Sequence, residues 1–395
     1  MTNPVTIVAT RTRLFGKSKN IGGMENYCLA FIDDMSFMSP IIVVDASGTY
    51  LVESGLYKKI GKESASYNAY TLTITVGFRV LFQLFKNSNT VVYSFGYAGI
   101  LVSLAKAFGL YSKTKLIVAL FGLESVDKSK SKKTVFVKMQ HFLGVRSFLG
   151  SNILKKCSLY LTEHENHHMD YIKMYPFLLG RTYLCLPDPI EVPKAEYVER
   201  IVENRWESLN SSRQVKFITV GRDSSSKRRD ISIELFKVLR VGLREFGFNC
   251  SFSICVSEAS QQLLTYCALC DDCEVIVGAS NEELTVLRSS SHFSISTSDQ
   301  KVPLLAVLED MAQGVIPVST DDLGGSLTDK SSLLIRDDWQ SHAIDLLDII
   351  SDKQQYAAKA KAAHAGSKEF SRDKFKAILS SLIVNYHYVD EGVKL

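Results

Sequence analysis

The stretch Pro303-Leu-Leu-Ala-Val-Leu-Glu309-Asp-Met-Ala-Gln-Gly314-Val-Ile-Pro-Val-Ser319-Thr-Asp-Asp-Leu-Gly324-Gly325 decides the fold of this chain. Its first apolar residues recur at the spacing of an amphipathic helix; they are Leu304, Val307, Leu308 and Met311. Pro303 is predicted at the first helical position, because a helix cannot use the N–H that proline lacks. Gly314 suits the position just past the helix end. Residues 315–318 are predicted as a short buried strand.

The residues before this helix complete a βαβ unit. Residues 292–298 alternate like another strand. The loop that follows lies at the carboxyl end of a strand and points at a helix N-terminus. Open α/β sheets bind ligands at such loops, and exposed N–H groups there favour phosphate. Glu309 lies one turn into the helix and off its main apolar stripe, so we expect its carboxylate to face the ligand.

The rest of the chain repeats this alternation. In the first half we predict strands at residues 5–10, 41–45, 91–94, 116–120 and 159–162, with helices that include 23–34 and 99–108. Residues 187–193 (Pro-Asp-Pro-Ile-Glu-Val-Pro) are the best linker. A helix at 195–209 and a strand at 215–220 open a second run. This order predicts an α/β fold with parallel, doubly wound sheets.

The opening stretch resembles the donor-binding signature of nucleotide-sugar glycosyltransferases of the GT-B architecture, especially the large retaining fourth family. That signature reads roughly E-G-x-G-L-x-x-L-E-A-M-A-x-G-x-P-V-V-x-S-x-x-G-G, and residues 308–312, Gly314, 317–319 and 324–325 match it. The resemblance implies two Rossmann-like domains facing each other across a cleft. Residues 1–190 then form the acceptor-side domain, 191–372 the nucleotide-sugar-binding domain, and 373–395 a helix that packs back on the first.

A second motif is the strand at residues 216–220, which runs into Gly221 and a turn with two cations. A glycine gives the backbone room for a diphosphate, and positive charge at a strand's carboxyl end attracts it. The family has Gly-Arg and then a Lys at the same spacing, so the resemblance implies that Arg222 and Lys227 hold the donor diphosphate and offset the leaving-group charge. A solvated basic loop is the alternative, because Arg228 and Arg229 continue the charge.

The resemblance implies further donor contacts along the chain. They are Gly22 and Gly23 beside the phosphate, Val277 and Gly278 at the base-binding turn, the N–H groups of Leu304 and Leu305 at the helix start, and Glu309 on the ribose. The glycine pair by itself also fits a flexible loop that merely opens a helix.

The resemblance implies transfer of a sugar from a nucleotide-diphosphate-sugar donor to a hydroxyl of a glycan or lipid-linked glycan, with retention of configuration. Two positions depart from the family pattern. Lys301 stands where the family usually has a glutamate near the transferred sugar, and Phe121 where it often has a histidine near the reacting carbon. These departures motivate an alternative, a catalytically inactive GT-B scaffold that acts as a binding or regulatory partner of an active transferase.

Composition and charge bear on partners. The chain has 395 residues, 46% of them apolar, which suffices for two full domains. With no apolar run long enough to span a bilayer and no signal-peptide pattern, we expect a cytoplasmic protein with reduced cysteines. The net charge of +4 is uneven. The basic segment Lys128–Lys138 leads into apolar residues and indicates contact with an anionic membrane surface or a solvated loop. No motif indicates nucleic acid.

One motif suggests a metal. Residues 164–168 spell H-E-x-x-H, the spacing of a zinc hydrolase. The extended zincin pattern requires a glycine at Tyr171 and a histidine at Met174, so we expect no zinc. We also expect no metal or other cofactor at the donor site, since arginine and lysine can carry the charge that Mg²⁺ otherwise offsets.

Overall fold

The computed structural model describes residues 5–10, 14, 23–60, 69–87, 90–120, 145–299, 303–336 and 338–387. The chain divides into two compact units, one formed by residues 1–188 with 375–395 and the other by 189–374. Each unit contains one sheet flanked by helices, as the predicted α/β fold requires. The division falls inside the segment 187–193, where proline-rich sequence predicts a linker.

The first unit has a sheet of eight strands in the order β4-β3-β2-β1-β5-β6-β7-β8. They are β1 (Val5–Ala9), β2 (Ile41–Val44), β3 (Thr49–Glu53), β4 (Leu56–Lys59), β5 (Thr90–Phe95), β6 (Lys115–Ala119), β7 (Leu159–Thr162) and β8 (Tyr183–Cys185). The strands β2, β1, β5, β6, β7 and β8 pair in parallel, in that order. Strand β3 pairs antiparallel with both β2 and β4. The sequence analysis missed this hairpin. Its turn has positive φ at both Ser54 and Gly55, as a two-residue hairpin turn requires.

Helices cover both faces of this sheet and bury two apolar clusters. They are α1 (Gly23–Met38), α2 (Ala69–Lys86), α3 (Ile100–Ala107), α4 (Val145–Lys156) and α5 (Glu165–Met174). The predicted helices at 23–34 and 99–108 correspond to α1 and α3. The strands β1, β2, β5, β6 and β7 lie within one residue of their predicted bounds, because each is a short apolar run. The strand β8 was not predicted.

The second unit has a sheet of six strands in the order β11-β10-β9-β12-β13-β14, and every pairing is parallel. They are β9 (Gln214–Val220), β10 (Asn249–Val256), β11 (Cys273–Val277), β12 (Phe293–Ser296), β13 (Ile316–Ser319) and β14 (Leu333–Leu334). From β9 the chain first builds outward to β11 and then returns to add β12 on the other side. The strand order therefore reverses between β9 and β12.

The helices of this unit are α6 (Ala195–Ser212), α7 (Arg229–Glu245), α8 (Gln261–Ala268), α9 (Asn281–Ser290), α10 (Leu305–Ala312), α11 (Ser341–Ser351) and α12 (Lys353–Ser367). One prediction was wrong in detail. The helix of the opening stretch begins at Leu305, and Leu304 is its N-cap with extended φ and ψ of −102° and 120°. Pro303 therefore precedes the helix. Gly314 follows the helix end with φ of +67°, as predicted.

The last described helix is α13 (Arg372–His387). Its residues Phe375 and Leu379 are fully buried in the core of the first unit. The Phe375 ring meets Tyr27 of α1 edge to face, with 5.6 Å between centroids. The chain thus returns to its first unit after completing the second.

Candidate functional site

Two loops of the second unit meet where the strand order reverses. The loop after β9 and the segment after β12 are joined by several hydrogen bonds. The Asp299 N–H and the Ser298 hydroxyl donate to the Ser226 carbonyl, each over 3.1 Å, and the Thr297 hydroxyl donates to the Arg228 carbonyl over 2.8 Å. Ligands of open α/β sheets bind at such a reversal, outside the carboxyl ends of the strands.

Gly221 opens the first of these loops. Its N–H donates to the Cys255 carbonyl over 3.0 Å, so the turn stays attached to the end of β10. Its φ is +137°, and a Cβ at this position would lie 3.1 Å from Nη2 of Arg229. The absence of a side chain therefore allows the backbone to pass directly over that guanidinium.

The cations predicted to hold a diphosphate both lie on this loop. Arg222 is exposed and Lys227 is half-buried. The pKa of Lys227 is lowered to about 8, mainly by burial and then by the positive charges of Arg229 and Arg222, whereas Asp299 opposes them. The loop thus concentrates positive charge that an anion would stabilise.

Arg229 is a third cation of the site, and the sequence did not single it out. It entered only the alternative of a solvated basic loop, but it is 94% buried at the start of α7. Its Nη1 donates to the Thr219 hydroxyl, while Nε and Nη2 have no hydrogen-bond partner among the described residues. Burial lowers its pKa to about 10. Only the fold buries this side chain, so periodicity could not identify it.

Arg205, a second buried arginine of the same unit, differs from Arg229 because its guanidinium nitrogens have hydrogen-bond partners. Arg205 donates to the carbonyl oxygens of Arg288, Ser289, Gln313 and Gly314 over 2.8–3.0 Å. Its guanidinium is satisfied by backbone and connects three helices. Buried polar groups are normally paired in this way. The unpaired nitrogens of Arg229 therefore leave a buried positive charge without a hydrogen-bonded anion among the described residues.

The helix α10 follows the segment that is hydrogen-bonded to this charged loop. Leu304 is its N-cap, and no side chain of the described residues caps the helix start. The first N–H groups of a helix have no partner within it, so those at Leu305 and the next residues remain able to bind an anion. The sequence predicted this arrangement for Leu304 and Leu305.

Glu309 is held in an ion pair that the sequence did not reveal. Arg288 donates from Nη2 to Glu309 Oε2 over 2.5 Å and from Nε to Asp310 Oδ1 over 2.8 Å. Arg288 and Asp310 are buried, whereas 38% of the Glu309 side chain is exposed. Burial raises the pKa of Asp310 to about 6, and Arg288 opposes this effect. One face of the Glu309 carboxylate is fixed, and the other is accessible.

The predicted base-binding turn lies two strands away along the same sheet edge. Val277 ends β11 and is half-exposed, and Gly278 follows with φ of +71°. Ser280 and Glu283 then form a capping box at the start of α9. The turn lies on the same sheet edge as Gly221, because β9, β10 and β11 are parallel to one another.

Other predicted positions fall outside the described residues. They are Gly22, Phe121, Lys301 and the basic segment Lys128–Lys138. Gly23 is the first residue of α1.

The H-E-x-x-H residues lie in the first unit and have separate protein partners. His164 caps α5 by accepting from the Asn166 N–H, and Nδ1 of His168 lies 2.7 Å from the Tyr160 hydroxyl. Glu165 accepts from the Tyr183 hydroxyl over 2.6 Å. Within the part of the chain that the structure describes, no cluster of three or more His, Cys, Asp or Glu could hold a metal ion.

Solved structures reveal which architecture this chain shares, although no family model and no curated protein matches it. Sucrose-phosphate synthase from Thermosynechococcus elongatus has a TM-score of 0.68 at 11% identity, with 97% of this chain and 98% of that chain covered. HepE from Anabaena in complex with UDP has a TM-score of 0.63 at 13% identity, with 97% and 100% covered. Likeness at this level of identity concerns the fold. The chain has the GT-B fold of glycosyltransferases.

Proposed function

We propose that this chain is a glycosyltransferase that takes a sugar from a nucleotide-diphosphate donor and transfers it to an acceptor hydroxyl with retention of configuration. The acceptor is a glycan or a lipid-linked glycan. The GT-B fold supports the general reaction, and the relative HepE is bound to UDP in its solved complex. The retaining mechanism and the acceptor class rest on the sequence resemblance.

One observation carries the proposal. The loop with Arg222 and Lys227 is hydrogen-bonded to the segment that leads to α10, at the point where the strand order reverses. This contact supports a site that combines two anion-binding features lying far apart in sequence. A diphosphate offers enough negative charge to engage both the cations and the N–H groups of a helix start.

Each group then has a role in the reaction. Lys227 and Arg222 bind the diphosphate, and buried Arg229 strengthens the positive potential beneath it. As the bond to the sugar breaks, negative charge grows on the leaving phosphate, and these cations stabilise it. Glu309 accepts hydrogen bonds from the ribose hydroxyls. Attack occurs on the donor's own face, with the leaving phosphate helping to take the acceptor proton. No metal is assigned a role.

We also propose that the protein is cytoplasmic and contacts anionic membranes. No helix in the described ranges is long and apolar enough to cross a bilayer. The segment Lys128–Lys138 is proposed to lie at the membrane surface, where each basic residue contributes about 1 kcal/mol to binding. Its positive charge is the support for this part.

The test is a thermal-shift screen against UDP, GDP, ADP, dTDP and CMP, with Lys227→Ala as the matched variant. A ligand at 100 times its dissociation constant adds about 2.7 kcal/mol to the free energy of unfolding. We expect one diphosphate to stabilise the wild type and not the variant. Absence of any response would contradict the donor site.

The alternative is a GT-B scaffold without activity. Lys301 and Phe121 favour it, since both replace polar groups that the family places near the reacting sugar. A sugar-release assay distinguishes the transferase from the scaffold. It uses sugar donors that contain the nucleotide found in the screen. Release of the sugar supports the transferase, whereas nucleotide binding without turnover of any donor or acceptor supports the scaffold.

A further inference from the structure

The helix α2 has apolar residues on two opposite faces. Val76, Val80 and Leu84 are buried in the core of the first unit. On the other side four large apolar residues are half to five-sixths exposed; they are Ile74, Phe78, Phe82 and Phe85. At 3.6 residues per turn these four lie within an arc of about 80°. A helix that is apolar on all sides is normally covered on all sides.

A neighbouring helix extends this exposed surface. Gly77 of α2 approaches Leu101 of α3 so closely that a Cβ would lie 2.8 Å from the leucine side chain. Both helices run from the carboxyl to the amino ends of the parallel strands, so they are parallel to each other. Because Gly77 of α2 lies beside Leu101 of α3, Phe85 lies at the same end of the helix pair as Phe108. Both side chains are 83% exposed. We call Ile74, Phe78, Phe82, Phe85, Phe108 and Leu110 the aromatic face.

The sequence that carries the aromatic face has charge of one sign. From residue 64 to residue 123 the sequence contains no aspartate or glutamate, and its cations are Arg79, Lys86, Lys106, Lys113 and Lys115. The ammonium group of Lys86 lies 4.4 Å from the centroid of the Phe82 ring. Exposed aromatic side chains flanked only by cations are complementary to a surface that is anionic outside and apolar beneath.

We propose that the aromatic face is a docking surface for an anionic lipid bilayer. The phenylalanine rings enter the boundary between headgroups and acyl chains, and the lysines contact the headgroups. This surface consists of described residues and does not include the segment Lys128–Lys138. It also does not depend on the proposed glycosyl transfer, because no residue of the aromatic face belongs to the candidate site.

The first unit offers a matched control. Phe37 at the end of α1 is 67% exposed, close to the 63% of Phe78. Asp33 and Asp34 precede it in the same helix, so its surroundings lack the single sign of charge. Phe37→Ser therefore removes an equally exposed ring from a surface that we do not expect to bind lipid.

The experiment is flotation of the full chain with vesicles of phosphatidylcholine, with and without about 30% phosphatidylglycerol. We expect binding only to the anionic vesicles, and weaker binding as salt rises. Phe78→Ser with Phe85→Ser is expected to reduce the partition coefficient on the order of tenfold per residue. Phe37→Ser should bind like the wild type. Circular dichroism and the melting temperature check that each variant is folded.

Three results would overturn the proposal. The first is absence of binding to anionic vesicles, and the second is equal binding by the wild type and the double variant. The third is a wild-type dimer in sedimentation analysis that Phe78→Ser with Phe85→Ser converts to a monomer. This result would assign the aromatic face to a second copy of the chain.

Discussion

Arg288 donates to Glu309 across 2.5 Å, and this ion pair orients the carboxylate that the sequence singles out for the ligand. The same guanidinium holds buried Asp310, so one arginine supports two adjacent acids with different exposure. Because Asp310 is paired independently, the arginine is expected to stay in place when Glu309 is replaced. The ligand-binding and structural roles of this cluster can therefore be separated by mutation.

The first prediction concerns Glu309. Glu309→Ala removes the proposed ribose acceptor and leaves the pair between Arg288 and Asp310 intact. A hydrogen bond to a charged group contributes about 1.5–3 kcal/mol, so we expect nucleotide affinity to fall roughly 10- to 100-fold. Calorimetric titration with the nucleotide found in the screen measures this, and turnover should fall severely. Undiminished binding and turnover would show that the assignment is wrong.

The second prediction is a pH dependence set by Lys227. Its pKa in the free protein is lowered to about 8, and a bound diphosphate would raise it again. Affinity should therefore be constant below pH 8 and decrease above it, by up to about tenfold per pH unit. The phosphate groups do not explain such a decrease, since their second pKa lies near 6.

The control for this prediction is Lys227→Arg, which keeps the charge to far higher pH. Its affinity should change little between pH 7 and 9.5. If the wild type and this variant have parallel pH profiles, the titration belongs to another group.

The third prediction concerns Arg229, whose replacement should weaken nucleotide binding without lowering the stability of the protein. Arg229→Met removes a buried cation with two unpaired nitrogens, so we expect the free energy of unfolding to stay unchanged or to rise by about 1 kcal/mol. Nucleotide binding should weaken about tenfold. The decrease of nucleotide affinity should begin at a higher pH than in the wild type, because Arg229 no longer lowers the pKa of Lys227.

The matched variant is Arg213→Met in the same unit, whose guanidinium lies over the Phe248 ring at 3.8 Å. It should leave nucleotide binding and its pH profile unchanged. A large loss of stability in Arg229→Met would instead assign Arg229 a structural role.

The fourth prediction concerns Arg288. Arg288→Met leaves Asp310 buried without its cation, and removing one partner of a buried pair costs about 3–5 kcal/mol. Chemical denaturation at pH 7.5 measures this loss. At pH 5 the loss should be smaller, because the buried carboxyl has a raised pKa of about 6 and can be neutral there. The double variant Arg288→Met with Asp310→Leu should recover most of the stability.

Several features of the fold could be predicted from local patterns. The short apolar parallel strands of both sheets follow from runs such as residues 116–120. The positive φ of Gly314 follows from its place after a helical apolar stripe, because glycine adopts that conformation at little cost. The hairpin of β3 and β4 was missed, since β4 is exposed throughout and has no apolar run.

By itself the sequence determined the two-sheet α/β fold, the loop that carries Gly221 and Lys227, and the helix that carries Glu309, because periodicity and turn residues act over a few positions. Only the tertiary structure decided that Arg229 is buried under Gly221 and that Arg288 holds Glu309. Both depend on which strands become neighbours, and strand order follows from the packing of the whole unit. Desolvation and ion pairing act over a few ångströms in space, between residues that lie far apart along the chain.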